Sequence, residues 1–231
     1  MNQVKRLGRF TSSEIYNLTK KDRTGKKFGQ AALTYIQEKN FERRLCRSLS
    51  EQVSARPLEW GRLVEERAFE VLGLEYSLVS NVTIEHPDMP DVWAGSPDGV
   101  KDGVVMDIKC PSTLKSFCQF YDITDKESLI DNHKSGEQYY WQLVSNAILT
   151  NVNKAELIIY CPYKSELDII RSMAQEQLLK WVEYATDEQL PYLLDNGYYN
   201  HLKIITLDIP KEDKDYLTEC VLEAKKLLLP L

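Results

Sequence analysis

Apolar and polar residues change their spacing several times along the chain, and each change predicts a different kind of element. Alternating stretches, separated by turn signals that contain Pro or Gly, predict strands. These stretches lie within residues 77–86, 91–100, 103–110, 155–162 and 202–209. The second and third are expected to form a hairpin across a Lys-Asp-Gly turn.

Helical spacing of apolar residues predicts helices on both sides of these strands. Thr11-Ser12-Ser13-Glu14 has the form of a capping box, so a short helix is expected to start at Ser12 and run toward Thr19. Longer helices are expected at about 31–46, 57–73, 112–122, 136–150, 166–185 and 211–229. Helices that flank a mixed sheet define the α/β class.

The helix at 57–73 carries a pattern of its own. Pro57 suits its first turn, and Gly73 suits its end. One face of this helix presents an acid, Glu65, among three small or apolar residues, which are Gly61, Ala68 and Leu72. Glu65 is therefore expected to point toward the core side of the helix.

The composition is typical of a soluble globular protein, since 43% of the 231 residues are apolar and 28% are charged. No stretch reaches the roughly 18 apolar residues that a membrane helix needs. The amino-terminal stretch lacks the apolar segment of a signal peptide. The five cysteines contain no CxxC pair, which argues against a zinc site. We therefore expect a protein of the reducing cytoplasm with no membrane partner.

The charge is unevenly distributed along the chain. The net charge is −6, which by itself argues against a nucleic-acid partner. The first 30 residues nevertheless contain eight basic and two acidic side chains, a local charge of +6. Composition alone leaves two interpretations of this segment open: a solvated basic surface, or a surface that binds an anionic partner.

Three ionisable residues interrupt two apolar stretches between residues 94 and 111. Asp98 lies in a Pro-Asp-Gly turn, and Asp107 and Lys109 lie within the following strand. Alternate residues of a strand share a face, so Asp107 and Lys109 point away from the face of Met106. The hairpin brings Asp98 to the same place, where two carboxylates repel each other unless a positive charge lies between them. Mg²⁺ would supply that charge and accepts carboxylate and carbonyl oxygens as ligands.

A second interpretation of these residues involves no metal. Asp98 can end a strand in a turn, and Asp107 and Lys109 can form an exposed ion pair on the polar face. The spacing of nine residues, the apolar opposite face and the helical acid Glu65 favour the metal site. Pro97-Asp98 followed by Asp107-Ile108-Lys109 resembles the signature of the PD-(D/E)XK nuclease superfamily, in which Glu65 matches a helical acid.

Six ordered segments extend this resemblance to one family of the superfamily. They are RLGRFTSSEIYNL, RTGKK, EWGRLVEERA, GSPDGV, MDIKCP and YYWQLVSNAILT. In this order they are similar to bacteriophage lambda exonuclease and the YqaJ-type viral recombinase exonucleases, over about residues 4–163 and more weakly over the last strand and helix. The resemblance implies an α/β restriction-endonuclease-like core, with a central mixed β-sheet flanked by helices.

The resemblance implies roles for the residues of the metal site. Mg²⁺, which Mn²⁺ is expected to replace, would be bound by Asp98, Asp107 and the Ile108 carbonyl. Glu65 would act through a second metal or its water, and Lys109 would position the nucleophilic water. The catalytic set implied in this way is Glu65, Asp98, Asp107, Lys109 and Gln142. An alternative for Gln142 is an ordinary polar position on an amphipathic helix.

A second set of residues is implied to recognise the DNA end. In the family, positions that match Arg6, Thr11, Ser13 and Arg23 recognise the 5′ phosphate, and Ser96 lies beside the metal site. A basic lining is needed only where the strand passes, so the acidic total charge does not exclude DNA. Thr11 and Ser13 have an alternative role as helix-capping residues.

The function implied by the resemblance is that of a Mg²⁺-dependent 5′-to-3′ exonuclease. It would degrade one strand of linear double-stranded DNA and leave 3′ single-stranded overhangs for phage-type recombination. The implied partners are a single-strand annealing protein and further copies of the chain in a ring, typically a trimer, in the bacterial host cytoplasm. Two alternatives stay open: a structure- or site-specific endonuclease of the same fold, and a catalytically inactive DNA-binding protein.

The absence of linkers and internal repeats favours one nuclease domain over 1–231. Its expected parts are a basic, helical DNA-end-binding part at 1–56, a catalytic core at 57–163, and a helical insertion, last strand and closing helix at 164–231. The family commonly has Glu as the second acid, and Asp107 shortens its reach by one carbon, which is expected to preserve activity. The segment 164–199 is longer than the family pattern predicts and has no assigned role.

Overall fold

The computed structural model describes residues 6–49, 55–73 and 82–230. The helices in this part of the chain are α1 (Gln30–Leu45), α2 (Arg56–Leu72), α3 (Leu114–Tyr121), α4 (Lys126–Asn132), α5 (Gly136–Leu149), α6 (Leu167–Glu176), α7 (Lys180–Glu183) and α8 (Lys211–Lys225). The strands are β1 (Phe10–Thr11), β2 (Ile84–Glu85), β3 (Trp93–Gly95), β4 (Gly99–Lys101), β5 (Val104–Lys109), β6 (Lys154–Tyr160) and β7 (Leu202–Asp208). The architecture is mixed α/β, as the sequence predicts.

The strands form two mixed sheets. The larger sheet has the order β4-β5-β6-β7, and β5 pairs antiparallel with β4 and parallel with β6. The smaller sheet has the order β1-β3-β2, with β1 parallel and β2 antiparallel to β3. Because β5 has a neighbouring strand on each edge, its backbone is fixed within the larger sheet, and so are the positions of its side chains.

A two-residue turn joins β4 to β5. Lys101 pairs with Val104, and the turn residues between them, Asp102 and Gly103, have φ of 48° and 80°. Two successive positive φ angles define the tight hairpin turn that matches the twist of antiparallel strands, and Asp-Gly is a preferred sequence for it. The hairpin predicted at this Lys-Asp-Gly signal is therefore confirmed.

Apolar residues pack on both faces of the larger sheet. On one face Val105 of β5 belongs to the same buried cluster as Val144 of α5. On the other face Met106 of β5 clusters with Leu63 of α2 and Ile170 of α6. Side chains of β5 therefore alternate between a core formed with α5 and a core formed with α2 and α6.

Several predicted helices are confirmed with small changes in their bounds. The helices expected at about 31–46, 57–73 and 136–150 are α1, α2 and α5, and Gly73 follows α2 with a φ of 78°. Along the part of the chain that the structure describes, the helices are too short or too polar to cross a membrane.

The short helix expected to start at Ser12 and run toward Thr19 forms only in part, as a 3₁₀ helix at Ile15–Thr19. Its start is later than the capping box predicts, and its N-cap residue Glu14 makes no capping hydrogen bond through its side chain. Thr11 instead lies in β1, and its backbone N–H donates to the hydroxyl of Tyr35 at 2.9 Å. Tertiary pairing of the Thr11 backbone has overridden the local capping signal.

The helix expected at 166–185 is interrupted. The first part, α6, ends at Glu176, and α7 begins at Lys180. Between them Leu178 has a φ of 59°, which lies in the left-handed region that a helix cannot continue through. The apolar spacing of this stretch therefore describes two short helices rather than one.

The strand expected at 91–100 is divided between the two sheets. β3 ends at Gly95, and β4 starts at Gly99 in the larger sheet. A Cβ atom on Gly95 would lie 2.1 Å from Ser12 Oγ and 2.6 Å from a methyl carbon of Leu149, so the close packing of these segments requires glycine. Of the strand expected at 77–86, Ile84–Glu85 forms β2, and residues 77–81 lie outside the described residues.

Candidate active site

The two charged residues of β5 lie on the face that packs against α5, as the alternation predicts. Asp107 contacts the α5 side chain of Gln142, and Lys109 Nζ lies 5.1 Å from the centre of the Tyr139 ring, also on α5. Ile108 lies with the apolar residues of the opposite face. Successive residues of β5 therefore point alternately to the polar site and to the apolar core on the opposite face.

Asp98 lies in the loop between β3 and β4 and is joined to β5 by two hydrogen bonds. Its backbone N–H donates to the carbonyl of Met106 at 3.1 Å, and its Oδ2 accepts from the backbone N–H of Ile108 at 2.7 Å. The N–H and C=O of one strand residue point to the same edge. The Asp98 carboxylate and the Ile108 carbonyl therefore lie at the same edge of β5.

Asp107 is 1% exposed, and its two oxygens have different surroundings. Oδ1 accepts a hydrogen bond of 2.5 Å from Gln142 Nε2, and Oδ2 lies 2.5 Å from Lys109 Nζ. Within the described residues, Oδ2 accepts no hydrogen bond of regular geometry. One oxygen is therefore fixed by α5, while the other has only the ion pair along its own strand.

Glu65 of α2 is the third acid of this site. Burial raises the pKa of Glu65, and the negative charge of Asp107 raises it further, while Lys109 acts in the opposite direction. Such effects require the charges to be close. A Cβ atom on Gly61, one turn earlier on α2, would lie 3.9 Å from the Cys110 carbonyl, so this helix passes the end of β5. Glu65 thus lies close enough to Asp107 and Lys109 to interact with their charges.

The site contains more acidic than basic side chains. Burial raises the pKa of Asp98 well above 3.8, and the nearby carboxylates of Asp107 and Glu65 raise it further. Burial acts to lower the pKa of Lys109, but Asp107 and Asp98 outweigh it and hold the ammonium in its protonated form. Three carboxylates therefore share one ammonium, an arrangement that attracts a further cation.

The donor set fits a hard divalent cation. Asp98 and Asp107 offer carboxylate oxygens, Ile108 offers a carbonyl at the same edge, and Asp107 Oδ2 is buried without a regular hydrogen bond. In residues 6–49, 55–73 and 82–230, no three His, Cys, Asp or Glu side chains form a ligand cluster. Two carboxylates, a carbonyl and several retained waters match the coordination that Mg²⁺ prefers, and Glu65 would act through water.

A cavity of about 600 Å³ brings together three of the residues implied for the 5′ phosphate: Arg6, Thr11 and Ser13. Thr11 Oγ1 and Ser13 Oγ lie 3.5 Å apart. The charged residues that complete the lining are Glu14, Glu38, Lys39, Glu42 and Arg62. Basic and acidic side chains are equal in number, so phosphate binding here would depend on the placement of individual groups and not on net charge.

Arg23 and Ser96 lie elsewhere. Arg23 is exposed in a turn in which the backbone N–H of Gly25 donates to the carbonyl of Asp22 at 3.0 Å, and it does not line the cavity. Ser96 precedes Asp98 by two residues, and its Oγ lies 3.1 Å from Thr83 Oγ1. The five residues implied for the DNA end are therefore divided among three places in the structure.

Sequence reasoning did not find two basic residues of the cavity, Lys39 and Arg62. Lys39 pairs with Glu42 at 3.2 Å, and both are buried. Arg62 had a usable signal, because it lies three residues before Glu65, which is one turn of the same helix. Lys39 had none, because Arg6, Thr11 and Arg62, with which it shares the cavity, come from distant parts of the chain.

Solved exonucleases share this fold over nearly their whole length. An alkaline exonuclease from Laribacter hongkongensis, LHK-Exo, has a TM-score of 0.62 at 15% identity, over 98% of this chain and 91% of that chain. LHK-Exo in complex with dAMP gives 0.54 at 18% identity, over 97% and 94%. A phage-related exonuclease from Haemophilus somnus 129PT gives 0.69 at 16% identity, over 95% and 92%.

No family model and no curated protein matches the chain. The structural similarity therefore shows the fold, which is the mixed α/β fold of these solved exonucleases. This confirms the fold class that the sequence predicts. It leaves the activity to be argued from the site, because one fold can carry unrelated functions.

Proposed function

We propose that the protein is a metal-dependent exonuclease that hydrolyses one strand of linear double-stranded DNA from the 5′ end and leaves a 3′ single strand. The proximity of Asp98, Asp107 and Lys109 at the carboxyl-terminal end of β5 carries this proposal. A protein that only binds DNA gains nothing from buried like charges, which cost stability. A phosphodiester hydrolase uses them to hold a cation.

The metal would be Mg²⁺, and Mn²⁺ would replace it. Asp98, Asp107 and the Ile108 carbonyl would hold it, and Glu65 would hold one of its waters. A bound divalent ion would neutralise charge on the phosphate and make a bound water more acidic. Everything else in the reaction has to be supplied by positioned side chains of the chain itself.

Lys109 is placed to orient the attacking water and to stabilise negative charge on a phosphate oxygen. The carboxylates of Asp107 and Asp98 raise the pKa of Lys109 against the effect of burial, and its ammonium is placed as a hydrogen-bond donor in this site. Gln142 keeps Asp107 in place through its bond to Oδ1, which leaves Oδ2 turned toward Lys109. Gln142 is therefore a positioning residue in this proposal.

Recognition of the 5′ end is assigned to the cavity that contains Arg6, Thr11 and Ser13. Two hydroxyls and a guanidinium form a donor set suited to a terminal phosphate, which has more charge than an internal phosphodiester. Arg62 lies in the same cavity, one turn before Glu65, so the cavity adjoins the catalytic residues. A phosphate held there would place the adjoining nucleotide near the metal ligands.

The solved structures of this fold agree with the proposal. They are an alkaline exonuclease, also obtained in complex with dAMP, and a phage-related exonuclease. dAMP is a nucleoside monophosphate, the kind of product that stepwise hydrolysis of DNA releases. We extend the proposal to phage-type recombination in the bacterial cytoplasm, with a single-strand annealing protein as partner and a ring of copies, a trimer, as the assembly. These extensions rest on the resemblance of the sequence motifs.

The test is digestion of DNA in Mg²⁺, in Mn²⁺ and in EDTA. Three substrates of one sequence are compared: a linear duplex with 5′ phosphates, the same duplex with 5′ hydroxyls, and a closed circle. We expect hydrolysis of linear DNA only, fastest with the 5′ phosphate, in either metal and not in EDTA. Sequencing of partly digested duplex is expected to show that, at each end, the strand that ends in 3′ is retained.

Other results would replace the proposal. Cutting of the closed circle would assign the site to an endonuclease. Binding without hydrolysis in both metals would assign it to an inactive DNA-binding protein. At each duplex end, loss of the strand that ends in 3′, with retention of the strand that ends in 5′, would reverse the proposed polarity.

A further inference from the structure

A second cavity of about 600 Å³ has no part in the function described above. Its lining includes Arg56, Pro57, Trp60, Thr113, Trp181 and Tyr184. These residues come from the first turn of α2, from the segment that follows β5, and from the region of α7 in the segment 164–199. The volume lies in the range of cavities that hold small molecules or single groups of larger ones.

Three aromatic residues contribute to this lining. Trp181 is fixed by a hydrogen bond of 2.6 Å from its Nε1 to Glu59 Oε2, and the Arg56 guanidinium lies 5.4 Å from the centre of its ring. Tyr184 is 74% exposed at the mouth, although large aromatic side chains are usually well buried. Rigid indole and phenol faces beside a guanidinium offer a stacking surface for a planar ring.

The cavity also has features that favour an anion. The amino-terminal ends of α2 and α3 face the cavity through Pro57 and Thr113, and helix amino termini favour anions. A ligand with acceptor atoms and negative charge meets these demands.

The place of the cavity on α2 relates it to the catalytic site. Trp60 and Arg62 are two residues apart, about 200° around the helix, so they lie on opposite sides. Gly61 lies between them, and Glu65 is on nearly the same side as Gly61. The phosphate cavity with Arg62 and the aromatic cavity with Trp60 therefore flank the face of α2 that carries Glu65.

We propose that the aromatic cavity binds one unpaired nucleotide of the DNA, with its base stacked on Trp181 and Tyr184. The neighbouring phosphate lies near Arg56 and the amino-terminal ends of α2 and α3. The nucleotide lies on the side of the scissile phosphate opposite to the 5′ end, because the two cavities flank the catalytic face. This inference rests on the proposed function, and it gives the segment 164–199 a role in holding the strand.

The test measures binding of single-stranded DNA to the full chain in EDTA, where no hydrolysis is expected. The probes are 5′-phosphorylated oligonucleotides that carry the fluorescent base 2-aminopurine at one position, moved stepwise from the 5′ end. We expect fluorescence quenching at one internal position near the 5′ end, as stacking on an aromatic ring requires. Trp181→Ala is expected to remove this quenching.

Two variants measure the contribution of individual rings to affinity. Trp181→Ala and Tyr184→Ala are each expected to raise Kd about tenfold, the order that one stacked base contributes. Tyr198→Ala is the control, because Tyr198 is 84% exposed and packs near Tyr121, outside the cavity. It is expected to leave Kd unchanged.

Unchanged Kd in both Trp181→Ala and Tyr184→Ala, with wild-type thermal unfolding, would overturn the inference, and so would equal quenching at every probe position. A cavity that binds a peptide of a partner protein would give that same result.

Failure of the nucleotide cavity can be distinguished from failure of the proposed exonuclease function. Wild-type protein that hydrolyses linear DNA while its variants keep wild-type Kd rejects only the nucleotide cavity, whereas wild-type protein that hydrolyses no DNA rejects the exonuclease itself.

Discussion

Asp98 Oδ2 accepts a hydrogen bond of 2.7 Å from the backbone N–H of Ile108, ten residues further along the chain. The bond joins the loop after β3 to the carboxyl-terminal end of β5, so that the Asp98 carboxylate approaches Asp107 and the Ile108 carbonyl. It offsets part of the repulsion between the two acids, because an N–H donor stabilises the charged carboxylate. The site is thus assembled by the β4–β5 hairpin before any ligand binds.

Replacing either acid of this pair is expected to separate activity from stability. Asp98→Asn and Asp107→Asn are each expected to lower DNA hydrolysis by about 10²–10³-fold or more, the order seen when a group that stabilises the transition state is lost. The melting temperature of Asp98→Asn is expected to equal or exceed that of the wild type, since a buried like charge is removed. Hydrolysis of labelled linear duplex and thermal unfolding provide the two measurements.

Asp102→Asn is the matched control for these variants. Asp102 lies in the same hairpin, in the turn, with a φ of 48° that Asn also tolerates. It should keep wild-type hydrolysis and stability. Full activity of Asp98→Asn or Asp107→Asn would show that these carboxylates do not form the active site.

Gln142→Met tests the positioning role of the hydrogen bond to Asp107. Methionine has a similar length but no N–H, so Asp107 Oδ1 loses its 2.5 Å donor. We expect kcat to fall about tenfold and the Mg²⁺ concentration for half-maximal rate to rise by a similar factor, as found when groups that hold metal ligands are removed. Rates are measured over a series of Mg²⁺ concentrations.

Gln175→Met, on the exposed part of α6, is the control for this change. A purely structural role for Gln142 would lower the melting temperature and leave the Mg²⁺ dependence unchanged. That result would contradict the assignment of Gln142 as a positioning residue.

Arg6 and Arg23 are expected to differ in what they recognise. Arg6 lines the phosphate cavity, whereas Arg23 is exposed in the turn after Asp22. Arg6→Gln should therefore reduce the preference for a 5′ phosphate over a 5′ hydroxyl, by about tenfold for loss of one charged hydrogen-bonding group. Arg23→Gln should weaken binding of both substrates equally, and mainly at low salt.

The measurement is the ratio of initial rates on the two linear substrates at several salt concentrations. Equal loss of the 5′-phosphate preference in both variants would show that Arg23 also reaches the terminal phosphate when DNA is bound. No change in Arg6→Gln would remove the cavity from the proposal.

Glu166→Gln is expected to lower stability in a pH-dependent way. Glu166 is 7% exposed, and burial acts to raise its pKa. Hydrogen bonds from the Tyr163 backbone N–H at 2.8 Å, from His201 and from the Tyr160 hydroxyl outweigh burial and lower the pKa below 4.5. At pH 7 the variant should lose about 1.5–3 kcal/mol of unfolding free energy, the range for hydrogen bonds to a charged group.

The difference between the wild type and Glu166→Gln should shrink as the pH falls below 4.5. In that range the unfolded wild type binds more protons than the folded form, so the stability that the ionised carboxylate contributes is lost as the pH falls through the lowered pKa. Urea unfolding of both proteins between pH 3 and pH 7 measures this difference in unfolding free energy. The exposed Glu176→Gln should show no such dependence, and a constant difference for Glu166→Gln would contradict the network.

The main helices and the catalytic strand could be predicted because their signals are local. α2 has Pro57 in its first turn, Gly73 after its last, and an apolar stripe between them, so its bounds follow from nearby residues. β5 alternates apolar and charged residues beside an Asp-Gly turn, which fixes both its hairpin and the faces of Asp107 and Lys109. The position of Asp98 then follows from the pairing of β4 with β5.

The segment around Thr11 shows where local signals fail. Its capping box describes a helix start, yet pairing with β3 and a hydrogen bond with Tyr35 give the segment a strand instead. The long-range partners stabilise an extended backbone more than capping stabilises a short helix. Leu178 is similar, because no feature of its own sequence marks the left-handed break between α6 and α7.

The sequence by itself determined the α/β class, the course of the main helices, and the acids and lysine that meet at β5, because these depend on short-range periodicity and one tight turn. Only the tertiary structure decided which residues share a cavity. It placed Arg62 with Arg6, left Arg23 in an exposed turn, and brought Trp60 and Trp181 together beside the catalytic face. These groupings join distant parts of the chain, and packing of whole helices against the sheet, which no local pattern records, sets them.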